Sequence, residues 1–333
     1  MRPTVISTDP PAQAGATTEA GESVGSGTIT DVPGVAVGHW TDPRAKTGAT
    51  VITFPKPNVA AAEIRGANPG AREIETLACG MSDEPIDALV FAGGSTYGLA
   101  AAEGVMRALE RDGRGRGTKD GFRVPLVPAL VVYDLAVGDG SVRPGAADGE
   151  AAYRAATTEP VRMGLVGAGA GTTAANWRGP DAIVSAGLGS ASIRTDVATV
   201  GALVVLNPMG DVFSLEGDPL SGGPPIHSLT PARAHGTREN TTLVAVATDA
   251  SLSRTELLRL IVRGHDALGA CLRPAHTRYD GDAVVAASCG REDDDADALG
   301  EATFMAVGRA IEAAIRAAEQ GRGDRAAPGT VPG

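Results

Sequence analysis

Short apolar runs separated by polar, glycine-rich connections recur along most of the 333-residue chain. Runs of about four to eight β-branched and apolar residues between turn-forming residues are typical of buried strands. Runs of this kind predict strands at 47–54, 59–65, 86–91, 124–135, 163–171, 200–205, 242–249 and 283–288.

Two longer stretches repeat their apolar residues at the spacing of a helix. The first covers 253–272 and stops before Pro274, and the second ends near Gln320. A shorter helix is predicted after Ser95, which is placed to cap it. Strands alternating with a few helices predict a layered α/β sandwich. Because no linker interrupts 27–320, we expect one domain.

Composition and charge narrow the class of protein. The termini, 1–26 and 321–333, are rich in small residues and proline and are predicted to be disordered arms. A net charge of −11 without a basic stripe argues against a nucleic-acid partner. With no apolar leader and no run of about 18 apolar residues, we expect a cytoplasmic protein without a membrane span.

No cofactor or metal is indicated by the sequence. The three cysteines have no C-x-x-C spacing, and the five histidines are scattered. The glycine-rich run at 164–171 lacks the surrounding pattern of a dinucleotide site. The run Gly-Gly-Ser-Thr-Tyr-Gly at 93–98 does not have the spacing of a nucleophile elbow, and we interpret it as lining a cleft at a helix N-terminus.

Thr241 is the strongest candidate nucleophile. It lies where a polar, glycine- and proline-interrupted loop ends at Asn240 and a buried strand begins. Its hydroxyl is placed to attack the carbonyl of Asn240, and hydrolysis of the resulting ester would leave Thr241 as a new N-terminus. An α-amine with a pKa of about 7.7–8.0 can serve as the base for that hydroxyl. The alternatives are an ordinary threonine at the start of a strand and a glycosylation acceptor.

Four further residues have types suited to amide chemistry. Asp280 and Asp282 flank a glycine and would orient the nucleophile and its amine, or they form a solvated turn, since the remaining ligands of a calcium loop are absent. Asn207 offers an amide donor to an oxyanion, or it is a turn residue before a proline. The Tyr133 hydroxyl binds a substrate carbonyl or is satisfied in the core.

Taken together, several motifs resemble those of the L-aminopeptidase/D-Ala-esterase family of DmpA-type peptidases, which includes β-peptidyl aminopeptidases and hydrolases of nylon oligomers and of pantetheine. The matching segments are 30–35, 38–42, 93–99, 207–212, 240–242 and 276–282, in that order. The resemblance extends over about 28–318.

The resemblance implies an αββα four-layer sandwich that cleaves itself into an α chain ending at Asn240 and a β chain beginning at Thr241. It also implies homo-oligomers of these cleaved heterodimers. Thr241 would be the nucleophile, with Asp280 and Asp282 as partner acids.

The resemblance also implies roles around the substrate. Asn207 would lie at the oxyanion and Tyr133 in the pocket. Asn176 stands where the nylon-oligomer hydrolases carry a lysine, and Asp134 or Asp139 would meet a substrate amine. The expected substrate is a small peptide or amide.

The sequence thus predicts an N-terminal-threonine hydrolase that cleaves amide bonds through an acyl-enzyme on Thr241. Two alternatives remain open. The first is an acyltransferase of the ornithine acetyltransferase type, in which an amine replaces water. The second is a binding protein that keeps the fold and never cleaves itself.

Overall fold

The structure, a computed structural model, describes residues 27–225 and 240–326. The predicted arm at 1–26 and the end of the predicted tail at 327–333 lie outside the described residues. The first eight strands of the described chain are β1 (Ala36–Asp42), β2 (Thr47–Thr53), β3 (Val59–Ile64), β4 (Ala71–Arg72), β5 (Ala88–Ala92), β6 (Arg116–Gly117), β7 (Arg123–Val124) and β8 (Ala129–Val131).

The remaining strands and the helices follow in the second half. The strands are β9 (Thr173–Ala174), β10 (Val184–Ser185), β11 (Leu188–Arg194), β12 (Thr199–Val205), β13 (Asp211–Val212), β14 (Leu243–Ala250), β15 (Leu272–Arg273) and β16 (Ala283–Glu292). The α-helices are α1 (Ala101–Arg111), α2 (Ala146–Arg154), α3 (Arg254–Cys271) and α4 (Ala296–Ala326). Short 3-10 turns include Ile29–Asp31, Ile74–Leu77, Ser95–Ala100, Gly167–Gly169, Asn176–Arg178 and Pro180–Ala182.

Two five-stranded sheets form the frame of the described chain. The first has the order β1-β2-β5-β8-β4, and the second has the order β11-β12-β14-β16-β3. Neighbouring strands are antiparallel except for the parallel pairs β5–β8 and β14–β16. The fold is therefore a mixed α/β fold, as the alternation of strands and helices predicts.

Three hydrophobic clusters hold these elements together. One packs α1 and α2 on the first sheet, with Val90 and Val105 among its members. A second joins residues of both sheets, such as Phe91 and Val285. The third packs α3 and α4 on the second sheet and includes Val246. Strand residues therefore alternate between two different cores, and the sheets are buried on both faces.

The parallel pair β14–β16 positions the functional site. Its register places Leu243 opposite Ala283, and the residues just before the two strands, Asn240 and Asp280, are also bridged. Helix α3 connects the two strands and begins with a reciprocal cap, in which Ser253 and Glu256 each accept the backbone N–H of the other. Asn240, just before β14, and the acidic turn just before β16 therefore lie side by side.

Several predicted elements differ from the structure. Residues 163–171 form bends and a 3-10 turn instead of a strand, because Gly164 and Gly167 adopt positive φ angles of 91° and 54°. The predicted helix after Ser95 starts as a 3-10 turn and becomes α-helical at Ala101. The run predicted as one strand at 124–135 contains only β8 and the end of β7. Helix α4 continues past Gln320 to Ala326.

Candidate active site

Thr241 lies at the junction between the incoming segment and β14 and is 6 % exposed. Its backbone N–H donates to the carbonyl of Asn207 at 2.8 Å. Its hydroxyl donates to the carbonyl oxygen of Asn240 at 2.5 Å. The candidate nucleophile therefore already contacts the carbonyl that self-cleavage would require it to attack.

The carbonyl of Asn240 accepts a second hydrogen bond, from the backbone N–H of Gly281 at 2.9 Å. A backbone N–H in this position is the donor type that stabilises a developing oxyanion. The sequence analysis assigns no role to Gly281, although this residue lies between Asp280 and Asp282. The presence of a glycine at this position is the feature of the sequence that indicates a close backbone approach. A Cβ at residue 281 would lie 2.7 Å from Oγ1 of Thr241 and 2.6 Å from the carbonyl oxygen of Asn68.

The two carboxylates of the acidic turn are both 1 % exposed, so the alternative of a solvated turn is wrong. Asp282 accepts the backbone N–H of Thr242 on Oδ1 at 2.7 Å. Asp280 accepts the N–H of Met209 on Oδ1 at 3.0 Å, and its Oδ2 accepts the N–H and the hydroxyl of Thr277 at 2.9 and 2.5 Å. The Asp282 carboxylate thus binds the residue that follows Thr241, whereas the Asp280 carboxylate binds Met209 and its own turn at Thr277.

The environment of Asp280 disfavours the ionised form of its carboxyl group. Burial and the nearby Asp282 carboxylate raise the pKa of Asp280 to about 6, and the hydrogen bonds from Thr277 and Met209 oppose this rise. Desolvation and a like charge both disfavour the ionised form of a carboxylate. Asp280 therefore takes up a proton as the pH falls through about 6.

Asn207 connects Thr241 to the Tyr133 segment. Its Oδ1 accepts the N–H of Thr173 at 2.9 Å, and its Nδ2 donates to the carbonyl of Tyr133 at 3.2 Å. Asn176 contacts the same loop, donating from Nδ2 to the carbonyl of Pro208 at 3.0 Å. Asn207 thus contacts Thr241 through its backbone carbonyl, whereas Asn176 contacts Pro208, the residue after Asn207.

Asp134 occupies a different environment from Tyr133. It is 2 % exposed, and its Oδ1 accepts the N–H of Gly94 at 2.7 Å. Desolvation raises the pKa of this carboxyl, with a hydrogen bond from Thr47 opposing the rise. The Asp139 carboxylate binds the N–H and the hydroxyl of Ser141 on an exposed turn. These contacts give both acids a role in holding the chain.

A cavity of about 170 Å³ opens beside the candidate nucleophile. Asn240 and Thr241 line one side and Tyr133 lines another, with Ser95 and Thr96 at the start of the 3-10 turn that precedes α1. Ser95 has a φ of 54°, and the preceding Gly94 has a φ of 78°. A left-handed serine beside a reactive centre is the kind of backbone strain found at functional sites. Ser95 and Thr96 of the run 93–98 therefore line this cavity, as predicted for a cleft.

Within residues 27–225 and 240–326, no group of three or more His, Cys, Asp or Glu side chains is arranged to hold a metal ion. Of the helices in those two ranges, none combines the length and the apolar character needed to cross a bilayer.

Comparison with known proteins places the chain in a family. The profile of peptidase family S58 matches residues 27–327. A protein described as an uncharacterized aminopeptidase of Mycobacterium leprae is 37% identical over 353 aligned residues, covering 92% of this chain and 94% of the relative. A 6-aminohexanoate-oligomer endohydrolase of a Kocuria species is 31% identical over 276 residues, covering 77% of this chain and 73% of the relative.

A solved structure agrees with these relatives at the level of the fold. The L-aminopeptidase D-Ala-esterase/amidase of Ochrobactrum anthropi, described as a new variant of the Ntn hydrolase fold, superposes with a TM-score of 0.66 at 22% identity over 89% of each chain. The family resemblance stated from the motifs is thereby confirmed. The match over nearly the whole described chain shows that this protein belongs to peptidase family S58 and is an amidohydrolase of the aminopeptidase class.

Proposed function

We propose that the chain cleaves itself between Asn240 and Thr241 and then hydrolyses amide bonds with Thr241 as its N-terminal nucleophile. The observation that carries the proposal is the 2.5 Å contact between the Thr241 hydroxyl and the Asn240 carbonyl oxygen, which also accepts the Gly281 N–H. A hydroxyl next to a carbonyl that is already polarised by a backbone donor is the starting arrangement for acyl transfer.

Self-cleavage would proceed in two steps. The Thr241 oxygen forms a bond to the carbonyl carbon of Asn240, and the C–N bond to Thr241 breaks, with the hydroxyl proton passing to the freed amine. Water then hydrolyses the ester, leaving a carboxylate on Asn240 and a free hydroxyl on Thr241. The Asn207 carbonyl, which accepts the Thr241 N–H at 2.8 Å, would hold the departing nitrogen in place throughout.

Turnover would reuse the same groups. The α-amine of Thr241 serves as the base for its hydroxyl, which attacks the substrate amide to give an acyl-enzyme and release the amine product. Asp280 and Asp282 hold the turn against which the nucleophile lies, and Asn207 contributes its amide near the oxyanion. Water then releases the acyl group.

The cavity suggests which substrates fit. Its described lining includes hydroxyls, amides and apolar groups from Asn68, Ser95, Thr96, Val131 and Tyr133. We propose that it accepts a small acyl group of a peptide, an amino-acyl amide or an ω-amino oligomer. Asn176 holds the neighbouring loop and would take the position of the lysine expected in nylon-oligomer hydrolases. Asp134 supports the cavity through Gly94.

The proposal extends to the architecture of the mature protein. The three hydrophobic clusters are those expected between the four layers of an αββα sandwich, with residues 27–240 as an α chain and 241–320 as a β chain of one catalytic domain. Since β14 starts at Leu243 and pairs with β12 and β16, the β chain would stay bound by the second sheet after cleavage. Homo-oligomers of this heterodimer remain a prediction.

Intact mass spectrometry and N-terminal sequencing of the purified, active protein test the proposal. We expect two fragments, of which the second begins Thr-Thr-Leu-Val, together with hydrolysis of amino-acyl p-nitroanilides. An active preparation that contains only the uncut chain would overturn the proposal. Adding an amine acceptor to the same assay separates hydrolysis from acyl transfer, because a transferase forms the new amide.

A further inference from the structure

His276 contacts the acidic turn at Asp282, and the reaction proposed above assigns it no role. It lies six residues before Asp282, and its backbone N–H donates to Oδ2 of Asp282 at 3.1 Å. Its ring Nδ1 lies 2.8 Å from the same oxygen, so this nitrogen carries the proton in the hydrogen bond. One oxygen of a fully buried carboxylate is therefore bound by two donors of a single residue.

The backbone of His276 is held in an uncommon conformation. Its φ is 52°, in the left-handed region that L-residues other than glycine adopt only at a cost in free energy. Strain of this kind persists where the surrounding contacts impose it. Here the left-handed turn lets the N–H and the ring of His276 reach the same oxygen of Asp282.

Asp282 in turn contacts the backbone just before β14. Oδ1 of Asp282 accepts the N–H of Thr242 at 2.7 Å, and Thr242 directly follows Thr241. A donor pair on one carboxylate oxygen fixes the rotamer of the carboxylate, and therefore also fixes where its second oxygen lies. His276 is in this way connected to the start of β14 through a single side chain.

Several titratable and charged groups lie close to His276. The His265 ring on α3 contacts the His276 ring edge-on, with centroids 4.9 Å apart. Burial and the neighbouring His276 lower the pKa of His265 to about 4, so His265 is neutral near pH 7. Nε2 of His265 lies 3.3 Å from the carbonyl oxygen of Glu63 on β3, and Arg65 follows on the same segment. Asp280 and Arg278 lie in the same turn as Asp282, and the backbone N–H of Arg65 donates to the carbonyl of Asp282.

We propose that His276 is a positioning residue for self-cleavage and turnover, because its two donors lock the Asp282 carboxylate that holds the backbone of Thr242. The inference rests on the proposed function of Thr241. It assigns His276 to the active site through Asp282 and gives it no contact with the substrate.

Three substitutions separate the donor from the backbone conformation. His276→Asn and His276→Asp have the same shape, and both residue types are enriched at positive φ. The asparagine offers an amide donor to Asp282, whereas the aspartate places a second carboxylate against it. His276→Gly permits the backbone and removes the side chain. Lys46→Gly is the matched control, because Lys46 also has a positive φ, of 54°, on an exposed turn.

Two rates and the melting temperature are measured for each variant. The rates are the formation of the chain beginning at Thr241 after refolding and the kcat of the matured enzyme on an amino-acyl p-nitroanilide. We expect His276→Asn to stay within about threefold of the wild type and His276→Gly to lose at least about tenfold in both rates with KM unchanged. His276→Asp should lose more than His276→Gly, while Lys46→Gly retains both rates.

Two results would overturn the inference. One is that His276→Gly, cleaved and folded, keeps both rates within about twofold of the wild type. The other is that the asparagine and aspartate variants are equally slow at equal melting temperature, since the donor would then be irrelevant. The asparagine–aspartate pair still decides if the glycine variant does not fold. Failure of the proposed function is seen separately, as wild-type protein that stays uncut at Asn240–Thr241.

Discussion

The N–H of Gly281 donates to the carbonyl oxygen of Asn240 at 2.9 Å, across the bridge that joins the starts of two parallel strands. The same oxygen contacts the Thr241 hydroxyl at 2.5 Å. The proposed cleavage site thus has its nucleophile and its oxyanion donor in place before any substrate arrives. Since the donor is a backbone group, its position depends on how closely the glycine approaches Thr241.

Gly281→Ala should block or strongly slow maturation. The new Cβ would lie 2.6 Å from the Asn68 carbonyl oxygen and 2.7 Å from Oγ1 of Thr241, closer than Cβ contacts occur, so the turn must shift away from Asn240. Loss of one oxyanion donor reduces rates by about 10²–10³-fold. The fraction of uncut chain over time, followed by denaturing electrophoresis, measures the effect.

The matched control for this substitution is Gly269→Ala. Gly269 lies within α3, and its Cβ would have open space around it. Alanine in a helix interior is favoured over glycine by about 0.5–1 kcal/mol, so this variant should cleave at the normal rate and melt slightly higher. Equal cleavage by Gly281→Ala and the control would show that the donor on Gly281 is dispensable.

Thr241→Ala should stay full-length and inactive, because it removes the hydroxyl that attacks Asn240. Thr241→Ser keeps the hydroxyl and should still cleave and turn over. The serine lacks the methyl group that restricts χ1, so its hydroxyl spends less time against the carbonyl and we expect slower cleavage. Intact mass and the hydrolysis of a p-nitroanilide measure both variants, and cleaved Thr241→Ala would contradict the assignment of the nucleophile.

The pattern of apolar residues predicted the strand and the helix next to the candidate site better than it predicted the contacts within the site. The strand 242–249 and the helix 253–272 have clear apolar periods, and the structure has β14 and α3 there within one or two residues. The pairing of β14 with β16 joins segments about 40 residues apart, and no local pattern encodes that register. The proximity of Thr241 to the acidic turn is therefore a hypothesis from residue types and from the family resemblance, and the apolar pattern does not predict it.

Two residues at the end of β8 show a second limit. Tyr133 and Asp134 are adjacent, and the sequence assigned both to the substrate. Because neighbouring residues in an extended chain point in opposite directions, Tyr133 lines the cavity whereas Asp134 is buried against Gly94. The strand predicted at 163–171 is wrong for another reason, because a count of apolar residues does not register that Gly164 and Gly167 take positive φ angles.

Asn207→Asp should lower turnover by about 10²-fold or more. The aspartate keeps an acceptor for the Thr173 N–H but loses the Nδ2 donor, which now binds the Tyr133 carbonyl at 3.2 Å and is assigned to the oxyanion. We expect kcat to fall with little change in KM, because an oxyanion donor acts mainly in the transition state. Steady-state kinetics of the matured variant measure the split, and a change confined to KM would return Asn207 to a substrate-binding or structural role.

The raised pKa of Asp280 predicts how stability depends on pH. Its pKa is about 6 in the folded protein against 3.8 for an ordinary aspartate, so between these values the folded state holds a proton that the unfolded state releases. The free energy of unfolding contributed by this group is therefore fully present below about pH 4 and is lost as the pH rises through about 6.

Asp280→Asn removes this titration while keeping an acceptor for the Met209 N–H. Both forms are best compared in the uncut Thr241→Ala background, by urea unfolding at several pH values between 4 and 7. The parent should lose free energy of unfolding relative to the asparagine variant as the pH rises, by at most about 1.4 kcal/mol per pH unit for one proton. Contributions from acids remote from this turn cancel in the difference. Parallel curves across that range would mean that folding does not raise the pKa of Asp280.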